Sequence, residues 1–363
     1  MKIGVLTFSA ALNYGAQLQA FALCVYLRSL GHEVSVIQYS PKYLTAPYGL
    51  FRRFLRKRSI LSFFKQLIIT VLEFVPFVKR EKKMREFQRK FFSLTKKITT
   101  SSDISHEFRC VVVGSDQIWN KELTGGKLDE CFFLKNYTGK KYSYAASFSP
   151  EICSEDDFMQ MAEYLNKFEK ISVRESGLQT ALLKFVNKNI SVCIDPTFLL
   201  KKEEWLNFLP PQKERDPYIV VYQARGIHSI SDNIVRQLSA QLGVRKVINL
   251  SGNGNTIFKR DRLDVSPLEF VQLIKNAECV ISISFHGVAI SVIMETPFYY
   301  IFLNDGRNER IENLLNRIGL ANRIVKPEDK ICFSRIDYEP YNKQIGFLCE
   351  ESVSFIKSIT ENG

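Results

Sequence analysis

The chain lacks the residue patterns of a metal centre or a disulfide framework. Its eight cysteines are scattered without a C-x-x-C pair, and several begin or lie inside apolar runs. We therefore expect buried free thiols in a reducing compartment. Histidine is scarce as well, and the four in the chain are His32, His106, His228 and His286. Only His286 has a site-like setting, so the sequence predicts no metal site.

The chain also lacks a long uninterrupted apolar run. Its first apolar stretch, residues 2–8, is too short for a signal-peptide core and has no small-residue cleavage site, which predicts a cytoplasmic protein. Residues 60–78 are rich in Phe, Leu, Ile and Val but contain Lys65, Glu73 and Pro76, so we do not expect them to span a bilayer. No G-x-S-x-G motif occurs, which argues against a Ser/His/Asp hydrolase.

The basic excess is confined to one segment. Residues 42–97 hold 16 Lys and Arg against three acidic residues, whereas the net charge of the whole chain is +12. The rest of the chain is therefore close to neutral, which excludes a generally basic nucleic-acid-binding protein. The segment suits either a helical insertion packed on the first domain with a solvated basic face, or a helix lying on an anionic membrane surface.

Short apolar strands alternate with helical patterns along the chain. A strand at 2–8 is followed by a helix at 16–30 and a strand at 34–37, which predicts a parallel βαβ unit with a right-handed crossover. A second series of the same kind opens at 218–222. The predicted fold class is α/β, with two doubly wound Rossmann-like domains facing a cleft and a basic amphipathic helical insertion in the first.

Length and pattern together predict two domains. A single core stops growing at about 250–300 residues, so a chain of 363 residues favours two. We expect an N-terminal Rossmann-like domain over residues 1–205, with 42–97 as its basic helical insertion, and a C-terminal Rossmann-like domain over 206–335. Residues 336–363 are expected to form a helix that packs back on the first domain.

Polar turns follow several predicted strands, and ligands of doubly wound sheets bind at the carboxyl ends of the strands. The turn Asn13-Tyr14-Gly15 follows the first strand. Asn13 could cap the next helix or hold a ligand oxygen, and Gly15 permits close backbone approach. The turn is not a G-x-G-x-x-G dinucleotide fingerprint. Asp116, which follows another apolar strand, could act as a general base or cap a turn.

Further charged residues lie after other strands. Arg174 ends a short apolar strand, which suggests that it pairs with Glu175 or with an anion, because a guanidinium fits carboxylate or phosphate with two parallel hydrogen bonds. Arg225, just past the first strand of the second domain, could meet an anion or form a surface salt bridge. Asp195 precedes a proline and could be structural.

The turn around His286 has the clearest functional pattern in the sequence. The stretch 282–287, Ser-Ile-Ser-Phe-His-Gly, lies between an apolar strand and a helical pattern. Strand, polar turn and helix together point backbone N–H groups and a helix N-terminus at an anion. Histidine is the side chain that titrates nearest neutral pH, so His286 is the leading candidate for chemistry. The alternative is a hydrogen-bonded turn histidine without a chemical role.

Taken together, these turns resemble the polysaccharide pyruvyl transferase family. The resemblance covers roughly residues 1–305, and the motifs occur in the family's order. The matching motifs are Lys2-Ile3-Gly4-Val5-Leu6-Thr7-Phe8 with Asn13-Tyr14-Gly15-Ala16-x-Leu18-Gln19, Val113-Gly114-Ser115-Asp116-Gln117-Ile118-Trp119-Asn120, Ser172-Val173-Arg174-Glu175, Asp195-Pro196-Thr197 and Ser284-Phe285-His286-Gly287.

The resemblance implies a fold like that of GT-B glycosyltransferases, with the active site in the interdomain cleft. It implies transfer of the enolpyruvyl group of phosphoenolpyruvate onto two hydroxyls of a hexose, of the galactose type, in a lipid-linked capsular or exopolysaccharide repeat unit. The products are a pyruvate ketal and phosphate. Phosphoenolpyruvate is a co-substrate, no metal or organic cofactor is required, and no nucleic-acid partner is expected. The expected location is the cytoplasm, peripheral on the inner face of the membrane if residues 42–97 bind it.

The resemblance also suggests residue roles. His286 and Asp116 are the catalytic candidates, for proton transfer and for activating the acceptor hydroxyls. Some family members carry an arginine where this chain has Ser284, so Arg225 or backbone N–H groups near Gly287 would meet the donor here. The donor-binding candidates are Arg174, Asn13, Gly15, Ser284, Gly287 and Arg225, and the acceptor-binding candidates are Tyr14, Gln117 and Asp195.

Two other functions remain open from the sequence. One is a nucleotide-sugar-dependent glycosyltransferase of the same architecture. The other is a non-catalytic, membrane-docked component of polysaccharide assembly, which residues 42–97 suggest.

Overall fold

The chain forms two compact units. The first comprises Met1–Pro196 and Ser352–Gly363, and the second comprises Thr197–Glu351. For residues 60–73 only the backbone is described. The computed structural model describes residues 1–46, 60–214, 216–223, 231–250, 264–303 and 308–360.

A seven-stranded parallel sheet forms the centre of the first unit. Its strands are β1 Lys2–Leu6, β2 Glu33–Tyr39, β3 Leu94–Ile98, β4 Cys110–Asp116, β5 Lys140–Ala146, β6 Ile171–Val173 and β7 Ile190–Val192. Their order is β3-β2-β1-β4-β5-β6-β7, so the order reverses between β1 and β4. The helices are α1 Tyr14–Ser29, α2 Lys42–Thr45, α3 Ile60–Phe91, α4 Glu155–Leu165 and α5 Ser176–Leu182.

The second unit has a smaller parallel sheet. Its strands are β8 Tyr218–Tyr222, β9 Lys246–Asn249, β10 Cys279–Ser282, β11 Phe298–Ile301 and β12 Ile324–Val325. Their order is β12-β11-β10-β8-β9, so the order reverses between β8 and β10. The helices are α6 Lys202–Leu206, α7 Asp232–Leu242, α8 Pro267–Lys275, α9 Phe285–Ile293 and α10 Glu309–Ile318, together with the part of α11 Glu339–Thr360 that precedes Ser352.

Continuous apolar strands explain why both sheets are parallel and covered by helices. Residues 110–113 and 218–222 are buried along their whole length. Such strands have no polar face to offer to water, so both faces of the sheet must be covered. The structure therefore confirms the predicted α/β fold with two doubly wound parallel sheets.

The boundaries differ from the predicted ones in a few places. The division between the units follows Pro196, not residue 205, and Trp205 is fully buried and donates from Nε1 to the carbonyl of Thr197 at 3.2 Å. Residues 339–351 belong to the second unit, and only the chain from Ser352 belongs to the first. Helix α9 begins at Phe285, inside the stretch 282–287 that precedes the helical pattern in the sequence.

The insertion 42–97 contains the long helix α3, which continues through Pro76 and leads into β3. The sequence pattern does not predict β3, because it is a half-exposed strand with Lys96 and Lys97 in its centre. The basic residues at 52–58 lie outside the described residues. Within the part of the chain that the structure describes, no helix is long and apolar enough to cross a membrane.

The sequence Ser266-Pro267-Leu268-Glu269 is typical of a capping box with proline at the first helical position, and the structure contains this cap. Ser266 Oγ accepts a hydrogen bond from the backbone N–H of Glu269 at 3.2 Å, and the Glu269 carboxylate accepts one from the Ser266 N–H at 2.9 Å. Pro267 occupies the first helical position, where its missing N–H costs no hydrogen bond. These contacts fix the start of α8 beside the strand that leads to His286.

The replacement Ser266→Ala should destabilise the protein by about 1 kcal/mol, because it removes the helix cap. Chemical denaturation followed by circular dichroism measures the change. Ser239→Ala in α7 is the matched control: the Ser239 hydroxyl is buried with no hydrogen-bond partner among the described residues. Its removal should leave stability unchanged or higher. Equal losses in the two variants would contradict the role of the cap.

Candidate functional site

A polar residue lies at the end of each of four neighbouring strands of the first unit or shortly after it, at the same edge of the sheet. Asp116 ends β4 and is paired with Ala146, the last residue of β5. Ser147 follows β5, Arg174 follows β6, and Asp195 lies shortly after β7. Parallel pairing places these carboxyl ends side by side, so residues that lie far apart in sequence form one polar cluster.

A buried ion cluster centres on Arg174. Arg174 Nη1 donates to Asp195 Oδ2 at 2.5 Å, and Nε donates to Glu175 Oε1 at 3.3 Å. The Ser147 hydroxyl donates to the same Glu175 oxygen at 2.7 Å. Arg174 is 5% exposed, Glu175 1% and Asp195 0%. The sequence predicts pairing of Arg174 with Glu175 or an anion, and the structure shows Glu175 and Asp195 as its partners.

The surrounding carboxylates stabilise the charge of Arg174. Burial alone lowers the pKa of the guanidinium, but the charges of Asp195, Glu175 and Asp116 act in the opposite direction and leave that pKa above its ordinary value. Asp116, two strands away at the end of β4, also lies close enough to Arg174 to interact with it electrostatically. The edge thus brings one fixed cation and three carboxylates together.

The backbone at this edge is strained. Asp116 has a φ of 73° and Ala145 a φ of 47°, the left-handed region that non-glycine residues avoid at a cost of about 1–2 kcal/mol. Asp116 Oδ1 accepts a hydrogen bond from the Gln117 N–H at 2.8 Å, and its carbonyl accepts one from the Ser147 N–H at 3.0 Å. Strain that the surroundings hold in place is frequent at functional sites.

Beside Ala145, serine hydroxyls take the place of some backbone hydrogen bonds between β5 and β6. Between β5 and β6 the pairing includes Ala146 with Val173. The Ala145 N–H donates to Ser172 Oγ at 2.9 Å, and the Ser172 N–H donates to Ser143 Oγ at 3.0 Å. Strand β6 is thereby held beside β5, which fixes the position of Arg174 at this edge of the sheet. These serines carry no pattern that sequence reasoning could separate from ordinary strand residues.

The junction between β1 and α1 adjoins the point where the strand order of the first sheet reverses. Asn13 is the N-cap of α1, and its side-chain oxygen accepts from the Ala16 N–H at 3.2 Å, so the capping role is confirmed. Gly15 lies buried in the first turn of α1. The Thr7 hydroxyl donates to the carbonyl of Ser115 at 2.9 Å, which ties this junction to β4.

Two predicted acceptor contacts are fully buried. Tyr14 and Asp195 each have an exposed fraction of zero. Tyr14 packs in the core with the Arg80 guanidinium 4.9 Å from its ring centre, and Asp195 pairs with Arg174. Gln117, the third predicted acceptor contact, is half-buried, and its side-chain oxygen accepts from Asn120 at 2.9 Å. Acceptor contact by these three residues stays a prediction.

In the second unit, His286 lies in the first turn of α9 and not in the loop before it. Ser284 is the N-cap, and the His286 side chain is 7% exposed, with the Phe285 ring edge-on at 5.3 Å. Strand β10, which leads to this turn, adjoins β8 where the strand order reverses. The strongest sequence motif of the second unit therefore lies at its topological switch point, where doubly wound sheets bind ligands.

The helix start is packed tightly against the end of β10. The Ser282 hydroxyl donates to the carbonyl of Tyr222 at 3.1 Å and accepts from the Ser284 N–H at 2.9 Å. A Cβ at Gly287 would overlap Ser282 Oγ and lie 3.0 Å from both Ser282 Cβ and Tyr222 Cδ1. Glycine at 287 is therefore required for helix α9 to approach the strand.

Two other predictions concern Arg225 and the convergence of the site residues. Arg225 lies outside the described residues. The convergence of the His286 turn with Arg174 and Asp116 stays a prediction. Within the described ranges, no group of three or more His, Cys, Asp or Glu side chains is arranged to hold a metal ion.

A scan against protein-family models matches residues 13–304 to "Polysaccharide pyruvyl transferase". The match covers more than half of the 363 residues. The chain belongs to the polysaccharide pyruvyl transferase family. It is accordingly a transferase of polysaccharide biosynthesis, and the resemblance seen in the sequence motifs is confirmed. No curated protein matches the chain significantly.

Solved structures with a similar course of the chain include several sugar-nucleotide enzymes. The UDP-GlcNAc 2-epimerase of Methanocaldococcus jannaschii is 12% identical over 100% of both chains, with a TM-score of 0.47. The UDP-GlcNAc 2-epimerase of Neisseria meningitidis is 11% identical over 98% of this chain and 100% of that one, with a TM-score of 0.43. At these identities and scores, the likeness says nothing about what this pyruvyl transferase binds.

Asp195→Asn should destabilise the pyruvyl transferase by about 3–5 kcal/mol, because it leaves the buried Arg174 charge without one of its two carboxylate partners. Urea denaturation measures the change. The matched control is Glu163→Gln, which disrupts the exposed pair between Glu163 and Lys167 at 3.7 Å and should cost less than about 0.5 kcal/mol. A loss for Asp195→Asn no larger than the control would show that the cluster is not structural.

Gly287→Ala should destabilise the second unit by about 1–3 kcal/mol, because the new methyl group displaces the Ser282 hydroxyl and its hydrogen bonds. Gly346→Ala in α11 is the control, since a Cβ there meets no atom within 4 Å and alanine favours the helix by about 1 kcal/mol. Thermal unfolding distinguishes the two. A Gly287→Ala protein as stable as Gly346→Ala would contradict the close packing.

Proposed function

We propose that this pyruvyl transferase takes its pyruvyl group from phosphoenolpyruvate and forms a cyclic pyruvate ketal on two hydroxyls of a hexose. The acceptor is a galactose-type sugar in a lipid-linked repeat unit of a capsular or exopolysaccharide, presented on the cytoplasmic side of the membrane. The second product is inorganic phosphate. The reaction requires no metal ion and no organic cofactor.

The observation that carries the proposal is the position of the family motifs in the two sheets. The match over residues 13–304 includes the Asn13, Asp116, Arg174 and His286 motifs. In each unit, motifs adjoin the point where the strand order reverses. Ligands of doubly wound sheets bind at these points, which supports a ligand-binding role for the turns of each unit.

The chemistry that we propose needs one acid, one base and a cationic environment. A proton is added to the methylene carbon of phosphoenolpyruvate, and a sugar hydroxyl oxygen bonds to the neighbouring carbon. The C–O bond to phosphate then breaks, and the second hydroxyl closes the ketal ring. The two hydroxyls release two protons. One reprotonates the acid that gave its proton to the methylene carbon, and the other leaves with the phosphate.

Three residues are assigned to these steps in the proposal. His286 supplies the proton to the donor carbon, since an imidazole exchanges protons near neutral pH. Asp116, half-buried at the strained end of β4, orients and deprotonates the acceptor hydroxyls. Arg174 provides a fixed positive charge for the anionic donor, and its partners Asp195 and Glu175 hold it in place.

The backbone supports the donor assignment in the second unit. The first N–H groups of α9 have no partner within the helix, and the positive end of the helix dipole favours an anion. Ser284 stands at the N-cap with no side-chain capping bond. In the proposal, these N–H groups meet the phosphate or carboxylate that an arginine meets in other family members.

The test is incubation of the protein with phosphoenolpyruvate and a panel of hexosides, with product mass and released phosphate as readouts. We expect the mass of a pyruvate ketal on a galactose-type acceptor. His286→Ala should lower turnover by at least about 100-fold, because general acid catalysis contributes that much. His106→Ala is the control, since His106 is exposed on the first unit, and should retain full turnover.

Three outcomes would overturn the proposal. Full turnover of His286→Ala would show that the reaction does not need the acid assigned here. Transfer from a nucleotide-diphosphate sugar without consumption of phosphoenolpyruvate would make the protein a glycosyltransferase. Absence of any product from a folded protein across the acceptor panel would favour a non-catalytic component of polysaccharide assembly.

A further inference from the structure

Helix α3 has two chemically different faces over its described side chains, from Phe74 to Phe91. Met84 is 0% exposed and Phe87 5% exposed, and Arg80 and Phe91 are half-buried. These four residues follow one another at spacings of four, three and four, which is one face of a helix. This face packs against the first unit, and the opposite face is directed to solvent.

The inward face holds the helix on the junction between β1 and α1. Arg80 Nη2 donates to the carbonyl of Leu12 at 3.0 Å, and Gln88 Nε2 donates to the carbonyl of Ser9 at 2.8 Å. The rings of Phe87 and Phe91 lie 5.5 and 4.9 Å from the ring of Phe21 in α1. The helix is therefore anchored by hydrogen bonds and by aromatic packing.

The outward face combines exposed apolar side chains with basic ones. Phe74, Val75 and Val78 are 50%, 57% and 45% exposed. Exposed Lys79 and Lys82 lie one turn further along the same face. Large apolar side chains clustered at the surface mark an interaction site, whereas isolated ones do not.

Charge on the same stretch has one dominant sign. The stretch has two acidic residues. Glu81 pairs with Arg85 at 2.6 Å, and Glu86 pairs with Lys82 at 3.9 Å. The basic residues outnumber them seven to two over residues 74–91, and they are Lys79, Arg80, Lys82, Lys83, Arg85, Arg89 and Lys90. Apolar side chains next to basic ones match an anionic bilayer, which has an acyl layer beneath its charged headgroups. A nucleic acid would match the basic residues but not the exposed apolar side chains.

We propose that the outward face of α3 docks on the surface of an anionic lipid bilayer, with the helix lying in the plane of the surface. Phe74, Val75 and Val78 enter the boundary between headgroups and acyl chains, and Lys79 and Lys82 pair with anionic headgroups. Docking itself does not depend on the proposed function. A consequence that does rest on it is that the β1–α1 junction, which α3 holds, comes close to a lipid-linked acceptor.

Co-sedimentation of the full chain with lipid vesicles tests the docking without any need for turnover. We expect binding to vesicles of phosphatidylcholine mixed with phosphatidylglycerol, weak binding to phosphatidylcholine alone, and a loss of binding as salt is raised. Lys79→Glu with Lys82→Glu should lower the partition coefficient at least about tenfold. Val75→Ser with Val78→Ser should lower it at unchanged charge.

Matched controls come from another part of the first unit, around helices α4 and α5. Lys167 forms an exposed pair with Glu163, four residues earlier, and Lys82 forms one with Glu86, four residues later. Lys167→Glu with Lys184→Glu therefore reverses the same number of charges on exposed lysines. Leu183→Ser removes an apolar side chain that is 49% exposed. Both controls should bind vesicles as the unaltered protein does, and circular dichroism should show all variants folded.

Several outcomes would overturn the docking. One is equal binding to neutral and anionic vesicles, and another is no binding to either. Equal losses in the α3 variants and in the controls would indicate a response to overall charge alone. Tight binding to RNA, combined with no binding to anionic vesicles, would show that the basic residues serve a polyanion and not a membrane. Each of these results leaves the transfer reaction testable by product mass.

Discussion

Parallel strand pairing is the constraint on which the rest of this structure depends. Every described strand pairing in both sheets is parallel, so the carboxyl ends of the strands lie along one edge of each sheet. The apolar strands bury both faces of the sheet and leave polar residues to their ends. Residues as distant in sequence as Asp116 and Asp195 thereby belong to a single edge.

The edge of the first sheet shows how charge is tolerated inside such a fold. A buried guanidinium loses hydration, and the protein offsets this loss with the Glu175 and Asp195 carboxylates at hydrogen-bonding distance. The Ser147 hydroxyl satisfies Glu175 in turn. The result is a fixed cation in an anionic surrounding, next to the strained backbone of Asp116. An arrangement of this kind holds the side chains of the edge in fixed positions.

Much of this could be predicted from the sequence, because strand and helix patterns and capping residues are local signals. The alternation of elements, the capping box at Ser266 and the cap at Asn13 all follow from residues within one turn of each other. Strand β3 could not be predicted, because an edge strand tolerates lysines and carries no apolar pattern. The start of α9 at Phe285 does not follow from the sequence, because Ser284, Phe285 and His286 have no strong helix preference.

The sequence by itself determined the family, the α/β class and the candidate site residues, since motifs and periodicity are written in consecutive residues. Tertiary structure alone decided which of those residues are partners. It joined Arg174 to Asp195 across two strands, buried Tyr14 under Arg80, and directed Phe74, Val75 and Val78 to solvent while their neighbours pack inward. The physical reason is that burial and pairing depend on which elements pack together in space, and residues far apart in the sequence meet only when the strands pair.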